Sequence, residues 1–557
     1  MNDSYSGRLW TNAQSILSKG RFMEMVAEKA AAPTRLQIAL WSAMMIAVVF
    51  LFVAKNGEFQ IGAHFQDDAT YIVLGKSLLH ADRYGLINSP GSVQPTHYPI
   101  GFPLLLAPIL WLAPNNLDAL RVIALGMTLL NAILLFWGWR NFSRVRSYWW
   151  ALAIVVLYTL SPLVVDYTRM VMSEPPFLAC CLAAFVLAEQ SVNRRQVFGW
   201  HLWMSLALVF AVLIRTIGIT LVFTVFAYLL WKNGRAFWKS FLLLPALMIL
   251  IVGVIVWLTP VTIQDLIPSG YVSQVTSSAS SDAGLIPSVA PQDRITWYGG
   301  VLLRQVLVPL GGGVTEKNLL NSLGLAPQPF ISGLLFTALV LLGFVTWIRQ
   351  EGISSFNLFP VVYLGVIYFW EWEGVRFLYP IAPQLQMVFL LAMEAVLVWL
   401  AGRWRRLDTS PLPRAVFVVV VAVLVLGNLY KSARIESSLL HVGDVYARTA
   451  WLKANTLPTD LVMTEEPVVD YVNGERKTVS FREEYASASE LAQDLRQKRI
   501  QYVLLAPGLW WQARYKPGYS EHLQLVIPLV NELAAAHQLE LVYSDPPNFI
   551  QVFKVQP

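Results

Sequence analysis

The sequence contains little cysteine and little charge. Only 2 of its 557 residues are cysteines, and these two, Cys180 and Cys181, are adjacent within an apolar segment. Adjacent cysteines provide neither a disulfide framework nor a zinc site, and they favour two small buried side chains. Charged residues make up 14% of the chain, compared with roughly 25% in ordinary soluble domains. The composition therefore argues against a soluble protein and against a disulfide-rich scaffold.

A cleavable signal peptide and a nucleic-acid-binding basic region are also missing. Residues 1–37 are polar, with several basic side chains before the first apolar segment. We expect a cytoplasmic N-terminal segment, followed by a span that serves as its own insertion signal. The net charge of +6 does not indicate a nucleic-acid partner, because the basic residues cluster in short loops between apolar segments.

Hydrophobic residues are abundant, at 56% of the chain. Apolar segments of about 20 residues recur from residue 38 to residue 430, and each is long enough to cross a bilayer. The sequence therefore predicts a polytopic α-helical membrane protein with about 11 transmembrane helices. The predicted spans are 38–54, 119–138, 148–163, 174–189, 198–214, 216–231, 240–258, 330–348, 356–371, 376–400 and 413–429.

The orientation of these spans follows from the short basic loops, which we expect on the cytoplasmic side. These loops are 140–146, 194–195, 232–239, 349 and 403–406. The apolar segment 100–113 is short and contains two prolines. A crossing there would move every later basic loop to the outer side, so we predict an interfacial helix.

This topology divides the chain into three predicted regions. They are the cytoplasmic segment 1–37, a transmembrane domain over 38–431 and an extracytoplasmic soluble domain over 432–557. The transmembrane domain has two long outer loops, 55–118 and 260–329, of which the second is rich in Ser, Gly and Pro and is a candidate lid.

Helical and strand patterns alternate in the C-terminal region, which predicts a small α/β domain. Ser487 and Glu490 form a capping-box pattern, and strands are predicted near Val462, near Val542 and over 500–505. The region has no glycine fingerprint for nucleotide binding. Arg476 and Arg482 are expected to be ordinary surface charges.

The first outer loop begins with an acidic pair, Asp67 and Asp68, followed by Tyr71. Ionised carboxylates beside a bilayer are costly unless they are paired, bind a cation or take part in chemistry. The pair therefore indicates an enzyme with a lipid-derived substrate. The alternative is that the two residues only cap a helix that begins at Ala69.

Three further motifs follow in order along the chain. His97 and Tyr98 precede a proline-containing apolar stretch, and Glu174 follows Arg169 by five residues. The third motif, 376–383, reads Arg-Phe-Leu-Tyr-Pro-Ile-Ala-Pro. Together with the acidic pair, these motifs resemble the polytopic GT-C glycosyltransferases. The resemblance is to the branch that contains protein O-mannosyltransferases and the lipid A aminoarabinose transferase.

The match with that family is imperfect at three positions. The chain has Asp68 where the family's acidic pair has Glu, Ile100 where a second proline is usual, and Glu174 where Asp is frequent. The resemblance covers residues 38–400, and it extends in layout to the C-terminal domain.

The resemblance implies a fold, an activity and a set of roles. The enzyme would move a sugar from a polyprenyl-phosphate donor to a glycolipid, polysaccharide or protein acceptor, with inversion at the anomeric carbon. It would lie in the bacterial inner membrane, among membrane lipids, with its active site on the outer face. Asp67 would be the general base, and Glu174 would be the second catalytic carboxylate. The expected substrate-binding residues are Asp68, Tyr71, His97, Tyr98, Arg169, Arg215, Glu373 and Arg376.

Of these, Arg376 would clamp the phosphate. A divalent metal ion held by Asp67, Asp68 and Glu174 is left open as a cofactor.

Each of these residues also has a structural alternative. Glu174 could cap its helix or pair with Arg169, and Arg376 could pair with Glu371 or Glu373. Arg215 could be an interfacial anchor, and His97 could be a solvated loop residue.

Three alternative functions remain. The first is a phosphate-linked transferase or oligosaccharide ligase of another membrane fold, which would rely on outer-loop Arg and His. The second is a transporter or flippase of a lipid-linked substrate, although the spans show no obvious inverted repeat. The third is a sensor or assembly scaffold built around the C-terminal domain.

Overall fold

A computed structural model describes most of the chain from residue 66 onward. The described residues are 66–81, 83–91, 93–96, 98–114, 116–142, 148–193, 197–234, 237–262, 329–367, 375–403, 412–433, 442–507 and 520–556, with positions 39, 42, 46, 49 and 62. The predicted segment 1–37, most of the first span 38–54 and most of the outer loop 260–329 lie outside these residues.

Two helices lie in segment 55–118, the predicted first outer loop: α1 (Gln66–His80) and α2 (Gly101–Leu112). α1 begins at Gln66, not at Ala69, so the acidic pair lies inside its first turn, where carboxylates interact favourably with the helix dipole. α2 packs against α1, and its first residue, Gly101, approaches the backbone at the end of a later helix. A Cβ atom at Gly101 would lie 2.5 Å from the carbonyl carbon of Leu213. Residues 100–113 thus form the predicted helix, while its interfacial placement stays a prediction.

Helices in the described residues overlap all ten spans predicted after residue 118, and residues 368–371 of the span 356–371 lie outside the described residues. They are α3 (Arg121–Phe142), α4 (Tyr148–Thr159), α5 (Pro162–Tyr167), α6 (Glu174–Asn193), α7 (Val197–Ile214), α8 (Ile219–Asn233), α9 (Phe237–Leu258), α10 (Pro329–Glu351), α11 (Ser355–Ile367), α12 (Ala382–Arg403) and α13 (Leu412–Ala433).

Four of the predicted spans differ from the structure in detail, and two of these, 119–138 and 216–231, begin with short 3-10 turns, Leu117–Leu120 and Thr216–Gly218. The span 148–163 is interrupted, because Pro162 has no N–H group to continue α4 and instead starts α5. The span 376–400 opens with a tighter 3-10 turn, Val375–Ile381, which contains Pro380.

Four helical segments in the described part of the chain are long and apolar enough to cross a membrane. They are Leu117–Arg140, Glu174–Val192, Thr216–Asn233 and Arg376–Leu400. Six shorter apolar helices accompany them. Large apolar side chains also face outward, with Trp203, Trp231 and Trp257 at 59%, 67% and 83% exposure. Such a surface suits lipid, while the total of about 11 crossings stays a prediction.

The helix α6 lies at the centre of the bundle. It packs against α3, α7, α8 and the 3-10 turn, and Phe177, Leu178 and Phe185 belong to the largest buried apolar cluster. Its first residue, Glu174, is consequently held at a helix end that is fully enclosed by protein.

The C-terminal part of the chain combines helices with a mixed five-stranded sheet. Its elements are α14 (Val442–Asn455), β1 (Leu461–Thr464), α15 (Pro467–Gly474), β2 (Lys477–Val479), α16 (Ala488–Gln497), β3 (Tyr502–Leu505), α17 (Glu521–Ala535), β4 (Leu539–Asp545) and β5 (Ile550–Val555). The strand order is β2-β1-β3-β5-β4. β1 is parallel to β2 and β3, whereas β5 is antiparallel to β3 and β4.

The sheet confirms the predicted α/β pattern. β1, β3 and β4 lie at the three predicted strand positions, and the Ser487 hydroxyl accepts a hydrogen bond from the Glu490 amide at 3.3 Å, as a helix cap does. The prediction for Arg476 was wrong. Its side chain is buried and donates to the Thr456 hydroxyl and to the Thr456 and Lys453 carbonyls. Arg482 is at the surface, as predicted.

The C-terminal part packs directly on α1 and on the first outer loop. α15 contacts α1, and the Asn473 amide donates to the Gly62 carbonyl at 2.9 Å. Residues 86–89, the edge segment, lie beside β2, where the Thr478 amide donates to the Asn88 carbonyl at 2.8 Å. The two regions therefore share one hydrogen-bonded boundary.

Candidate active site

Asp67 is held between a phenol and a guanidinium group. The Tyr98 hydroxyl donates to Asp67 Oδ1 at 2.5 Å, and Arg376 Nη1 pairs with Asp67 Oδ2. Burial and the neighbouring Asp67 carboxylate raise the pKa of the Tyr98 phenol well above its ordinary value, so Tyr98 is a neutral donor. The side chains of Asp67 and Arg376 are 19% and 32% exposed. The carboxylate is thus fixed in orientation, yet it remains within reach of a ligand.

A second acid–base pair is more deeply buried. Arg215 Nη1 lies 2.6 Å from Glu174 Oε1, and the two side chains are 15% and 0% exposed. The same Arg215 nitrogen donates to the Ser173 hydroxyl at 3.0 Å. The contact with Glu174 is an ion pair without the alignment of a hydrogen bond, and Glu174 Oε2 has no hydrogen-bond partner among the described residues. The guanidinium and the carboxylate of this pair are therefore buried next to each other, away from water.

Three side chains, Tyr71, Ser173 and Phe377, link the two pairs into one site. The Tyr71 hydroxyl of α1 lies 3.1 Å from the Ser173 hydroxyl, next to the start of α6. The Phe377 ring lies 5.8 Å from the Arg215 guanidinium carbon and 5.1 Å from that of Arg376, distances typical of cation–π contacts. Both Asp67 and Glu174 act electrostatically on Arg376. The chain thus brings together residues that are more than 300 positions apart in sequence.

Six of the predicted site residues meet in this cluster. They are Asp67, Tyr71, Tyr98, Glu174, Arg215 and Arg376. The interfacial-anchor alternative for Arg215 does not describe its place, because its side chain reaches inward to Glu174. Glu174 also pairs with Arg215, whereas the sequence suggested Arg169 as its partner.

The other predicted residues are placed differently or lie outside the described residues. The two oxygens of the buried Asp68 accept hydrogen bonds from the Gly62 amide at 3.1 Å and from the Ala69 amide at 2.7 Å, so Asp68 orders the chain entering α1. The Arg169 side chain is fully buried and lies 3.8 Å from Asp166. His97 and Glu373 are outside the described residues, and their roles stay predictions.

Sequence reasoning missed three members of the cluster, Ser173, Tyr167 and Phe377. Ser173 and Phe377 are direct neighbours of Glu174 and Arg376 in sequence, which was a usable signal. Tyr167 packs its ring 5.1 Å from that of Tyr379, and it is close enough to Glu174 and Arg376 to feel their charges. Nothing in its sequence context distinguishes it from an ordinary buried tyrosine.

The donor set at this site does not fit the metal ion that the sequence left open. Asp67 and Glu174 each pair with an arginine, and Asp68 accepts hydrogen bonds from backbone amides. Within the described residues, no three His, Cys, Asp or Glu side chains come close enough to hold a metal ion. The three carboxylates therefore do not form one ligand set, and we derive no step through a metal ion.

Comparison with known proteins gives matches in structure alone. No protein-family model and no curated protein sequence matches the chain. The structure of ArnT from Cupriavidus metallidurans bound to undecaprenyl phosphate matches with a TM-score of 0.55 and 12% identity, over 92% of this chain and 98% of that one. The apo form of the same protein matches with a TM-score of 0.54 and 11% identity, over 93% and 98%.

A third match comes from an archaeal protein. The oligosaccharyltransferase AglB from Archaeoglobus fulgidus, in complex with an inhibitory peptide and a dolichol-phosphate, has a TM-score of 0.54 and 12% identity, over 85% of this chain and 70% of that one. At such low identity the matches establish the fold alone. The chain therefore shares the fold of these ArnT and AglB structures, which is the fold that the sequence resemblance predicts.

Proposed function

We propose that this protein transfers a sugar from a polyprenyl-phosphate donor to an acceptor hydroxyl at the outer face of the bacterial inner membrane. The observation that carries the proposal is the partly exposed Asp67 carboxylate, fixed by Tyr98 and paired with Arg376. The structural matches support the donor class, because the ArnT and AglB structures hold undecaprenyl phosphate and a dolichol-phosphate.

In the proposed reaction, Asp67 is the general base. The acceptor oxygen attacks the anomeric carbon, its proton passes to the Asp67 carboxylate, and the bond between that carbon and the phosphate oxygen breaks. Attack from the side opposite the phosphate inverts the configuration. The negative charge consequently moves from Asp67 to the departing polyprenyl phosphate.

Arg376 is suited to stabilise the negative charge both on Asp67 and on the departing phosphate. In the resting site its guanidinium is paired with Asp67, and its side chain is 32% exposed. Once Asp67 takes a proton its attraction for Arg376 falls, while the leaving phosphate becomes a stronger partner for a guanidinium. The buried Glu174–Arg215 pair adjoins this position. Within that pair, the Arg215 guanidinium is a fixed positive group that does not have to be brought in from solvent.

The test is a transfer assay with the full-length protein in detergent. Donors are a panel of polyprenyl-phosphate sugars, the acceptor is a total lipid and cell-wall extract, and mass spectrometry follows the release of free polyprenyl phosphate. Asp67→Asn keeps the shape of the side chain but cannot accept the proton, and we expect a rate lower by about 100- to 10,000-fold. Asp118→Asn is the matched control, because that side chain is 72% exposed in a surface pair with Arg121.

Equal rates for wild type and Asp67→Asn would remove Asp67 from the mechanism. Release by neither protein, with every donor, would overturn the transferase proposal in favour of the transporter that the sequence left as an alternative. Movement of a lipid-linked substrate across a vesicle membrane, without a new glycosidic bond, would establish that alternative.

A further inference from the structure

A separate basic cavity lies between the C-terminal end of α1 and the edge of the sheet at β2. Its volume is about 650 Å³. The described lining contains four basic side chains and no carboxylate: Lys76, His80, Arg83 and Lys477. Tyr471 of α15 forms part of the wall, and Asp82 lies outside the described residues. The cavity is thus built jointly by the first outer loop and the C-terminal region.

The position of this cavity on α1 separates it from the Asp67 site. Asp67 and Lys76 lie nine residues apart on α1. At about 3.6 residues per turn and about 1.5 Å per residue, their side chains leave opposite sides of the helix, roughly 14 Å apart along its axis. A ligand in the cavity is therefore not the donor phosphate that meets Asp67 and Arg376.

The two lysines are held in the cavity wall by neutral partners. Lys76 Nζ lies 6.0 Å and Lys477 Nζ lies 5.4 Å from the centre of the Tyr471 ring, and Lys477 also donates to the Ile87 carbonyl. Burial lowers the pKa of both ammonium groups, because it removes water from a charge. Both lysines are fixed near one aromatic ring, and neither forms an ion pair within the described residues.

Among the described residues, the charge on Lys76 is only partly offset by a carboxylate. Glu475 acts electrostatically on Lys76, but its own ion pair is with Lys453, at 2.9 Å. A cavity whose described lining holds two fixed ammonium groups and no carboxylate is complementary to an anion. Its volume lies in the range of about 300–1,000 Å³ typical of small-molecule sites, so the anion would be part of a larger group.

We propose that this cavity binds the phosphate or carboxylate of a second ligand, distinct from the sugar donor. The shared chemistry is the anionic group, whether it belongs to a soluble or glycan-linked molecule or to a phospholipid headgroup, and glycerol 3-phosphate serves as the probe. Because its wall joins α1 to β2 and α15, the bound anion also ties the Asp67 helix to the C-terminal region.

The test measures binding and needs no turnover. The full-length protein is placed in nanodiscs of phosphatidylcholine alone, or of phosphatidylcholine with phosphatidylglycerol, and titrated with radiolabelled glycerol 3-phosphate. The variants are Arg83→Gln, at an exposed position on the rim, and Lys76→Gln, in the wall. Lys554→Gln is the control, because it removes an exposed lysine from β5, at a distance of three strands from β2.

We expect saturable binding to wild type and to Lys554→Gln, and binding at least about 10-fold weaker in each cavity variant, since one charge-assisted hydrogen bond is lost. Binding in both nanodiscs would identify a soluble or glycan-linked anion. Binding that phosphatidylglycerol abolishes would identify a phospholipid headgroup. No saturable binding in phosphatidylcholine, or equal binding by all variants, would overturn the proposal. Because the donor is absent, failure here would leave the proposed transferase reaction intact.

Discussion

The buried pair of Glu174 and Arg215 allows a quantitative test of how the site is held together. The perturbation is a double-mutant cycle with Glu174→Gln, Arg215→Gln and the combination of the two. Each single change removes one charge and leaves the other inside the protein. The carboxylate side chain is 0% exposed and the guanidinium side chain is 15% exposed.

The expected magnitude follows from this burial. Breaking a buried ion pair by removing one partner costs about 3–5 kcal/mol, because an uncompensated charge remains. Arg215 keeps the Ser173 hydroxyl at 3.0 Å, so we expect the loss for Glu174→Gln near the lower end, about 3 kcal/mol. In the double variant neither charge remains, and the total loss should be about 2–3 kcal/mol smaller than the sum of the single losses.

The assay is unfolding by titration of sodium dodecyl sulfate into mixed micelles, followed by tryptophan fluorescence. The same cycle on Asp118 and Arg121, a pair at 72% and 14% exposure, should give a coupling below about 1 kcal/mol. Additive losses at Glu174 and Arg215, or a coupling no larger than that of the surface pair, would refute the reasoning. The site would then be held by packing and not by the ion pair.

Two further predictions concern the C-terminal region and the packing of α2. Glu465 raises the pKa of His522, whose ring nitrogen lies 2.8 Å from that carboxylate. The stabilisation from this contact should be fully present below the ordinary His pKa of about 6.5 and be lost as the pH rises through the raised value. Thermal unfolding at several pH values should therefore show that wild type is more stable than His522→Gln at low pH and that this difference disappears in alkali. A difference that grows in alkali would contradict the prediction. Gly101→Ala should destabilise the protein by about 1–3 kcal/mol, because the new methyl group meets the backbone of Leu213 at 2.5 Å. In the same detergent titration Gly126→Ala is the control, since its methyl group meets nothing within 4 Å. Equal losses of stability in the two variants would refute the close approach at Gly101.

The sequence predicted the helices well, because each carries its own apolar signal. Every span proposed after residue 118 overlaps a helix in the described structure. Two of the errors occur where a proline changes the local hydrogen bonding, at Pro162 and in the 3-10 turn around Pro380. Such breaks depend on single backbone N–H groups, which a hydropathy pattern averages out.

The candidate site was predicted as a set of residues but not as a set of pairs. The motifs identified Asp67, Glu174 and Arg376, while the partner of each carboxylate could not be read from the sequence. Arg376 follows Asp67 by 309 positions, and such pairings depend on how the helices pack. Arg476 shows the same limit. Its guanidinium donates to carbonyls at the end of α14, where helix carbonyls lack partners within the helix. No local sequence pattern predicts that role.

The edge segment 86–89 also has a consequence for the order in which the chain can assemble. Its hydrogen bonds to β2 join residues separated by about 390 positions in sequence. The Asp67 helix is synthesised early, but part of the surface on which it packs belongs to α15, in the C-terminal part of the chain. Contacts of such long sequence separation form late, since a long loop must close first. The helix that carries Asp67 and Asp68 therefore lacks its packing contact with α15 until most of the polypeptide has been synthesised.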